Sequence, residues 1–230
     1  MVATIKALRH HGGAKDDEIN TPNIACVEAG FCNLEKHIEN IRKFIIEPVV
    51  AINTFVSDSY EEINFVIQRC KALGVQAVVS ENWAKGGEGT KDLAYAVVKV
   101  VESNESHFKP LYKWDMSVKE KIEIIAKEIY GADSVDFDKQ AKLNLKRIER
   151  LGFNDFAICM AKTQKSFSDN EFLIGRPKNF VVTVREIEIA AGAKFIIPIL
   201  GQMMRMPGLP SIPASEGMNI DEYGVISGLS

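Results

Sequence analysis

The stretch "VVAINTFVSDSYEEINFVIQRCKALGVQAVVS", residues 49–80, decides the fold class. It opens with a short apolar run between Pro48 and Asn53 and closes with a second one, "QAVVS"; such runs are typical of strands buried on both faces. Between them, Ser59 and Glu62 are spaced as a capping box, and apolar residues then recur at helical spacing until Gly74. Strand, helix and strand make a βαβ unit, which predicts two parallel strands and an α/β protein with a mainly parallel sheet.

Segments outside this unit continue the alternation of strands and helices. At the N-terminus "VATIKAL" predicts a strand, and "NLEKHIENIRKF" predicts an amphipathic helix with Asn33 as its N-cap. Further along, "TKDLAYAVVKVV" predicts a helix that begins at Thr90 and turns four apolar residues inward: Leu93, Ala94, Val97 and Val101.

The second half of the chain repeats the pattern with fewer chemical signals. Two helices are predicted, one from the capping box of Ser117 and Glu120 and one between Asp138 and Gly152. Strands are predicted at "FAICMAK", "FVVTVREIEI" and "AAGAKFIIPIL", and "MPGLPSIP" predicts a segment without regular structure.

Composition and charge exclude several classes of function. The chain has 230 residues, 46% hydrophobic and 26% charged, with a net charge of −3. This predicts a soluble globular protein and gives no electrostatic footprint for nucleic acid. No apolar run approaches the roughly 20 residues of a membrane span, and no signal peptide is legible. The four cysteines lack C-x-x-C spacing, so we expect reduced thiols, a cytoplasmic location and no metal site.

A glycine-rich loop, "SENWAKGGEGTKD", follows the second strand at residues 80–92 and invites a phosphate-binding interpretation. The Walker A pattern requires Gly-Lys-Ser/Thr after a glycine and four residues, whereas this loop reads Gly89-Thr90-Lys91, so the pattern fails here and in every other window. A turn from strand to helix is the simpler role for the glycines, and an anion at the following helix N-terminus is the alternative.

Two aromatic residues follow the two strands of the βαβ unit. Phe55 lies two residues past Asn53, and Trp83 lies three residues past Ser80. Carboxyl ends of parallel strands share one edge of the sheet, where ligands of α/β proteins bind. The two rings could therefore clamp a flat ligand by stacking, and the alternative is that both rings fill the core.

A basic loop, "TQKSFSDNEFLIGRPKN", follows the strand predicted at "FAICMAK". It starts after Lys162 and contains Ser168, and both residues are candidate contacts for a phosphate or carboxylate, together with Asn53 and Ser80 at the strand ends. A solvated charged loop is the alternative. No catalytic residue and no serine–histidine–acid pattern is legible in the sequence.

Nine ordered strings in the chain resemble one known family, formate–tetrahydrofolate ligase, and specifically the C-terminal part of its bacterial monofunctional members. The resemblance spans essentially all 230 residues and is carried by "VATIKALRHHGG", "NLEKHIENIRKF", "VVAINTFVSDS", "WAKGGEG", "IYGAD", "AKTQKSFSD", "GRPKNFVVTVRE", "MPGLP" and "DEYGVISGL".

The resemblance implies an ATP-dependent ligase. In the family, ATP with magnesium phosphorylates formate, and formyl phosphate then gives its formyl group to N10 of tetrahydrofolate. The pterin ring lies between a phenylalanine and a tryptophan that match Phe55 and Trp83, which favours the clamp over the core interpretation. The bacterial pattern has a proline and Thr-Asp-Thr after that phenylalanine, where this chain reads Val56-Ser57-Asp58-Ser59.

The resemblance also implies that the chain is the second half of a larger P-loop enzyme. We expect residues 1–47 to be the end of its nucleotide-binding domain and residues 48–230 to be a C-terminal α/β domain with part of the folate site. The missing N-terminal half is the expected partner, and the chain alone is expected to be inactive and to self-associate through uncovered apolar surface. The alternatives are a non-catalytic folate-binding or assembly subunit that needs a separate P-loop chain, and an inactive truncated product.

Overall fold

The computed structural model describes residues 1–103, 107–201 and 211–228 and has an α/β fold. In chain order its helices and strands are β1 (Val2–Ala3), α1 (Ile5–His11), α2 (Ile24–Arg42), β2 (Val49–Asn53), α3 (Tyr60–Ala72), β3 (Gln76–Ser80), α4 (Asn82–Lys85), α5 (Lys91–Glu102), α6 (Val118–Ile125), β4 (Ser134–Phe137), α7 (Lys139–Leu151), β5 (Ala157–Ile158), β6 (Val181–Ala190), β7 (Phe195–Leu200), β8 (Asn219–Ile220) and β9 (Ile226–Ser227).

The predicted βαβ unit is confirmed and forms the centre of a three-stranded sheet. The strand order is β1-β2-β3 and both pairings are parallel. Ser59 caps α3 by accepting a hydrogen bond from the Glu62 backbone N–H, while the Glu62 carboxylate accepts from the Ser59 N–H, which completes the capping box. The apolar face of α3 then packs Val66 and Cys70 against β2 in one buried cluster.

The N-terminal segment differs from its prediction. Only Val2–Ala3 of "VATIKAL" is strand, because Thr4 caps a helix by accepting from the Ala7 N–H, and Ile5 and Leu8 bury one face of that helix against α2. The next helix begins at Ile24 rather than at Asn33. Asn33 lies inside α2, and its side-chain amide donates to the Gly175 carbonyl at 2.9 Å.

Residues of α1 and α2 share a hydrophobic cluster with the first sheet and α3. The cluster includes Ile5, Phe31, Ile38, Ile52 and Val66. Most apolar residues of "VATIKAL" and "NLEKHIENIRKF" are therefore buried within the chain, whereas Val2 is 70% exposed, and the expected association through uncovered apolar surface stays a prediction. The domain boundary at 47/48 stays a prediction, and in this structure both sides of it contribute to one core.

The second sheet is mixed and belongs to the second half of the chain. Its order is β4-β6-β7-β5, with β6 and β7 antiparallel and both outer pairings parallel. The strands at "FVVTVREIEI" and "AAGAKFIIPIL" are confirmed, as is the helix α7 between Asp138 and Gly152. "FAICMAK" supplies only a two-residue strand, and β4 was not predicted from its sequence. Of "MPGLPSIP", residues 206–210 lie outside the described residues.

Helix α5 turns a different face inward from the one predicted. Ala96 is its buried residue, whereas Val97 and Val101 are 44% and 70% exposed. Tyr95 and Val98 are exposed as well, so an apolar stripe of α5 faces outward in the described part of the chain. No described helix combines the length and apolar character needed to cross a membrane.

Candidate functional site

The carboxyl ends of β2 and β3 bring the two predicted aromatic residues to one edge of the first sheet. Asn53 is in register with Ser80, and the Thr54 N–H donates to the Ser80 carbonyl at 3.3 Å. The polypeptide leaves the sheet at this point after each of the two strands. Phe55 is 44% exposed and Trp83 is 56% exposed, so neither ring belongs to the core and the core interpretation does not hold.

A side-chain hydrogen bond holds the indole of Trp83 in place. Its Nε1–H donates to the Thr54 carbonyl at 2.6 Å, which ties α4, the short helix after β3, to the residue that follows β2. Because the polar edge of the ring is engaged while more than half of the side chain stays accessible, the indole offers an apolar surface of defined orientation.

The loop that carries Phe55 is a hydrogen-bonded turn. The Phe55 N–H donates to Asp58 Oδ2 at 2.8 Å, and the Asp58 N–H donates back to the Phe55 carbonyl at 3.0 Å. Asp58 therefore fixes the backbone from which the phenyl ring projects. Ser59, the next residue, is already the N-cap of α3, so the turn is anchored at both ends.

Arg9 of α1 is the buried residue that holds this turn against the helices. It is completely buried, and its Nε and one terminal nitrogen donate to the two carboxylate oxygens of Glu62 at 2.8 and 2.7 Å. The guanidinium also donates to the carbonyl oxygens of Ile19 and Ser57 and lies 3.5 Å from Asp58 Oδ1. The bidentate pair and the two backbone contacts connect α1, the loop of Phe55 and the start of α3.

The two acids of this cluster ionise differently. Burial opposes the ionisation of Glu62, but Arg9 and the N–H groups of Ser59 and Asn23 outweigh it and lower the pKa of Glu62 to about 2. Burial raises the pKa of Asp58, and the hydrogen bond from the Phe55 N–H and the charge of Arg9 counter it only in part. Glu62 is thus the permanent counter-ion of Arg9.

Sequence reasoning missed Arg9 and assigned Glu62 only to a capping box. The available signal was a basic residue next to Leu8 on the apolar face of a short helix, a position where an unpaired charge is not tolerated. That signal was hidden because the segment was interpreted as a strand.

The glycine-rich loop serves the chain reversal between β3 and α5. Gly86 adopts φ 55°, and a Cβ on Gly89 would lie 2.5 Å from the Glu81 carbonyl oxygen, so the close approach requires glycine. The Thr90 hydroxyl donates to the Gly87 carbonyl and does not cap α5. Glu88 lies in this loop and Asp92 in the first turn of α5, which disfavours an anion there.

The four candidate polar contacts separate into two places. Asn53 and Ser80 are adjacent at the sheet edge, and Asn53 Oδ1 is buried without a hydrogen-bond partner. Lys162 and Ser168 lie instead around the loop after β5, where each is engaged by that loop: the Lys162 ammonium donates to the Thr163 and Ser166 carbonyls, and the Ser168 hydroxyl donates to the Asn170 carbonyl. Ser168 is buried, so this segment is not a fully solvated loop.

Among residues 1–103, 107–201 and 211–228, no group of three histidine, cysteine or acidic side chains is arranged to hold a metal ion.

A comparison of the sequence with models of protein families gives a match for this chain. The family described as formate–tetrahydrofolate ligase matches residues 1–230, the whole of the sequence.

Proposed function

The chain belongs to the formate–tetrahydrofolate ligase family, and we propose that Phe55 and Trp83 hold the pterin ring of tetrahydrofolate. The observation that supports this most directly is the position of both rings, partly exposed, after adjacent parallel strands. A pterin is flat and aromatic, and a ring stacked on such a face gains about 0.5–1.5 kcal/mol beyond the burial of its surface.

The fixed backbone around the two rings favours binding of a rigid ligand. Trp83 is tied to Thr54, and Phe55 is tied through Asp58 to Arg9, so little loop ordering would be needed on binding. Asn53 Oδ1, buried and unpartnered at the same edge, is a hydrogen-bond acceptor for a ring N–H or amino group.

The reaction that follows from family membership is the ATP-dependent formylation of tetrahydrofolate. Phosphorylation of formate requires a cradle for the ATP phosphates and magnesium. The 230 residues contain no Walker A pattern. We therefore propose that the phosphate cradle is supplied by residues outside this sequence, and that this chain contributes the folate part of the site. The second candidate is a folate-binding or assembly subunit that acts with a separate P-loop chain. The absence of a Walker A pattern from the 230 residues favours this candidate as well.

Two measurements on one variant test the folate proposal. Trp83→Ala should weaken tetrahydrofolate binding by about 1–3 kcal/mol, through lost stacking and burial. The free energy of unfolding should change by about 1 kcal/mol or less, because the side chain is 56% exposed. Binding is measured by calorimetry and stability by urea denaturation.

Trp114 supplies the matched control, since it is 53% exposed and follows neither β2 nor β3. Trp114→Ala should leave folate affinity unchanged, and the fluorescence of the Trp114→Ala chain reports on Trp83 alone. Folate binding that is equal in the parent chain and in Trp83→Ala would refute the proposed platform.

A further inference from the structure

Two adjoining cavities lie beside α1 and α2, and the side chains that line them include His11, His37 and, in one of the two, Lys162. One cavity, of about 280 Å³, lies between α1, α2, the turn at Ala126–Tyr130 and the loop after β5. The other, of about 300 Å³, lies between β1, α1 and α2. His11, Asn33 and His37 line both.

Among the described residues, those that line the two cavities include no carboxylate. Lys162 lines the first cavity, and its ammonium is held by two neutral carbonyls, those of Thr163 and Ser166, and by the ring of Tyr130 at 4.9 Å. Within the described residues no acidic side chain forms an ion pair with Lys162. Burial lowers the pKa of the Lys162 ammonium to about 8, and the negative charge of Asp169 opposes that shift only in part. In the described chain the ammonium therefore lies beside an open cavity without a direct ion-pair partner.

The two histidines present complementary groups. His11 Nδ1 accepts the Gly175 N–H at 3.1 Å, which leaves Nε2 as the protonated nitrogen of a neutral ring. Burial and the neighbouring histidines lower the pKa of His11 to about 4. The ring centroids of His37 and Phe167 lie 4.6 Å apart, and part of the His37 side chain stays accessible to solvent. Partial burial of the imidazole and the positive charges of Lys162 and Lys36 lower the pKa of His37. The Lys36 ammonium is engaged elsewhere, because it donates a hydrogen bond to the Glu128 backbone carbonyl.

We propose that the 280 Å³ cavity, which Lys162, His37 and His11 line together, binds a compact oxyanion, a phosphate or carboxylate group, through these three residues. At neutral pH the charge of Lys162 lies in a partly buried site without a direct ion pair, and a bound oxyanion would supply that pair. The ammonium and the imidazole groups donate to oxygen atoms, and such charge-assisted bonds are the stronger ones. The volume is at the lower end for small-molecule sites, which suits a single oxyanion group and not a whole nucleotide. The site is independent of the folate platform proposed above.

Binding should depend on pH in a defined direction. A bound anion favours the protonated form of His37 and offsets the repulsion from Lys162 and Lys36, so it raises the pKa of His37. By linkage, anion affinity should increase as the pH falls through the pKa of Lys162, which burial lowers to about 8, and again through the pKa of His37. His11 faces the same cavity and contributes no charge near neutral pH, because its pKa is about 4.

The test uses the 230-residue chain and two probes at constant ionic strength set with chloride. Sulfate stands for tetrahedral oxyanions, since its charge is constant over the range studied, and acetate stands for carboxylates. Histidine ring resonances are followed by NMR from pH 5.5 to 8. We expect the apparent pKa of His37 to rise with probe concentration, whereas at a fixed pH the probe should leave the ring resonances of His107, which lines neither cavity, in place.

Lys162→Met should weaken probe binding about tenfold or more, because it removes the charged donor. Lys178→Met is the matched control: Lys178 is exposed in the same loop region and lines neither cavity, so the affinity should be unchanged. If Lys162→Met does not fold, as judged by near-UV circular dichroism, His37→Gln replaces it. The ring resonances of His11, which lines the same cavity, then report probe binding, and that binding should be weakened in the same way.

Each outcome decides the proposal. Saturable binding of sulfate, of acetate or of both supports it and identifies the group that the cavity prefers. No shift of His37 with either probe overturns it. A shift of equal size in the Lys162→Met and Lys178→Met chains also overturns it, because general screening of surface charge would then explain the result.

Discussion

Arg9 lies wholly buried between α1 and α3, with its guanidinium engaged by Glu62 and by the carbonyls of Ile19 and Ser57. Arg9→Met would leave Glu62 and Asp58 buried without their cation. Breaking a buried pair in this way costs about 3–5 kcal/mol of the free energy of unfolding. Urea denaturation measures the loss.

Arg42→Met is the control for the Arg9 prediction. Arg42 pairs with Glu47 at 2.8 Å, but both side chains are well exposed, so the loss should be about 1 kcal/mol or less. Similar losses in the two variants would contradict the role assigned to burial. A folded Arg9→Lys chain with weakened tetrahydrofolate binding would further connect Arg9 to the position of Phe55.

Glu62 should make stability depend on pH in acid. Its folded-state pKa of about 2 lies below the unfolded value of about 4.3. Because the folded pKa is depressed, the contribution is complete above the unfolded pKa and is lost as the pH falls from about 5 to about 2. The raised pKa of Asp58 acts in the opposite sense, so a difference between chains is the cleaner measure. Between pH 5 and pH 2 the Glu62→Gln chain should lose less stability than the parent, and equal losses in urea titrations would contradict this.

At the scale of elements, α5 is the helix whose orientation in the fold differs most from its sequence pattern. Ala96 is buried and Val101 is 70% exposed. Ala96→Lys should therefore lower the free energy of unfolding by several kcal/mol, about the cost of burying an unpaired charge, whereas Val101→Lys should change it by about 0.5 kcal/mol or less. Thermal denaturation followed by circular dichroism measures both. If the face predicted from the sequence, with Val101 inward, were buried, Val101→Lys would be the more destabilising of the two substitutions.

The exposed stripe of α5 also bears on self-association, which stays a prediction. Tyr95, Val98 and Val101 form an apolar surface at helical spacing in the described chain. If the chain associates through it, Val101→Lys should shift sedimentation towards the monomer, whereas a lysine at the exposed Leu143 of α7 should not.

At the scale of the whole molecule, the purified 230-residue chain should show no formate-dependent release of ADP. The reason is the absence of a Walker A cradle from its sequence, without which the γ-phosphate is not positioned. A complete member of the family assayed in parallel is the positive control. Turnover by the chain that is lost in a Trp83→Ala variant would refute the prediction, since the activity would then belong to this sequence.

Local patterns in the sequence determined those parts of the fold that depend on neighbouring residues. The capping boxes of Ser59 and Ser117 formed as predicted, because each is complete within four residues. β2, β3 and their parallel pairing followed from short apolar runs around an amphipathic helix. The position of Phe55 and Trp83 at one sheet edge followed in turn, because the carboxyl ends of parallel strands coincide.

Contacts between distant residues decided the rest, because their partners are not encoded at any fixed spacing. Asn33 resembles an N-cap, yet it lies within α2 and binds Gly175, 142 residues away. Arg9 pairs with Glu62, 53 residues away, and that pairing is the main compensation for burying an arginine on α1. The inward face of α5 is set by which side meets β3, since valines occupy both sides of the helix. Periodicity can therefore place an element in the chain, but the packing partner determines which of its side chains are buried.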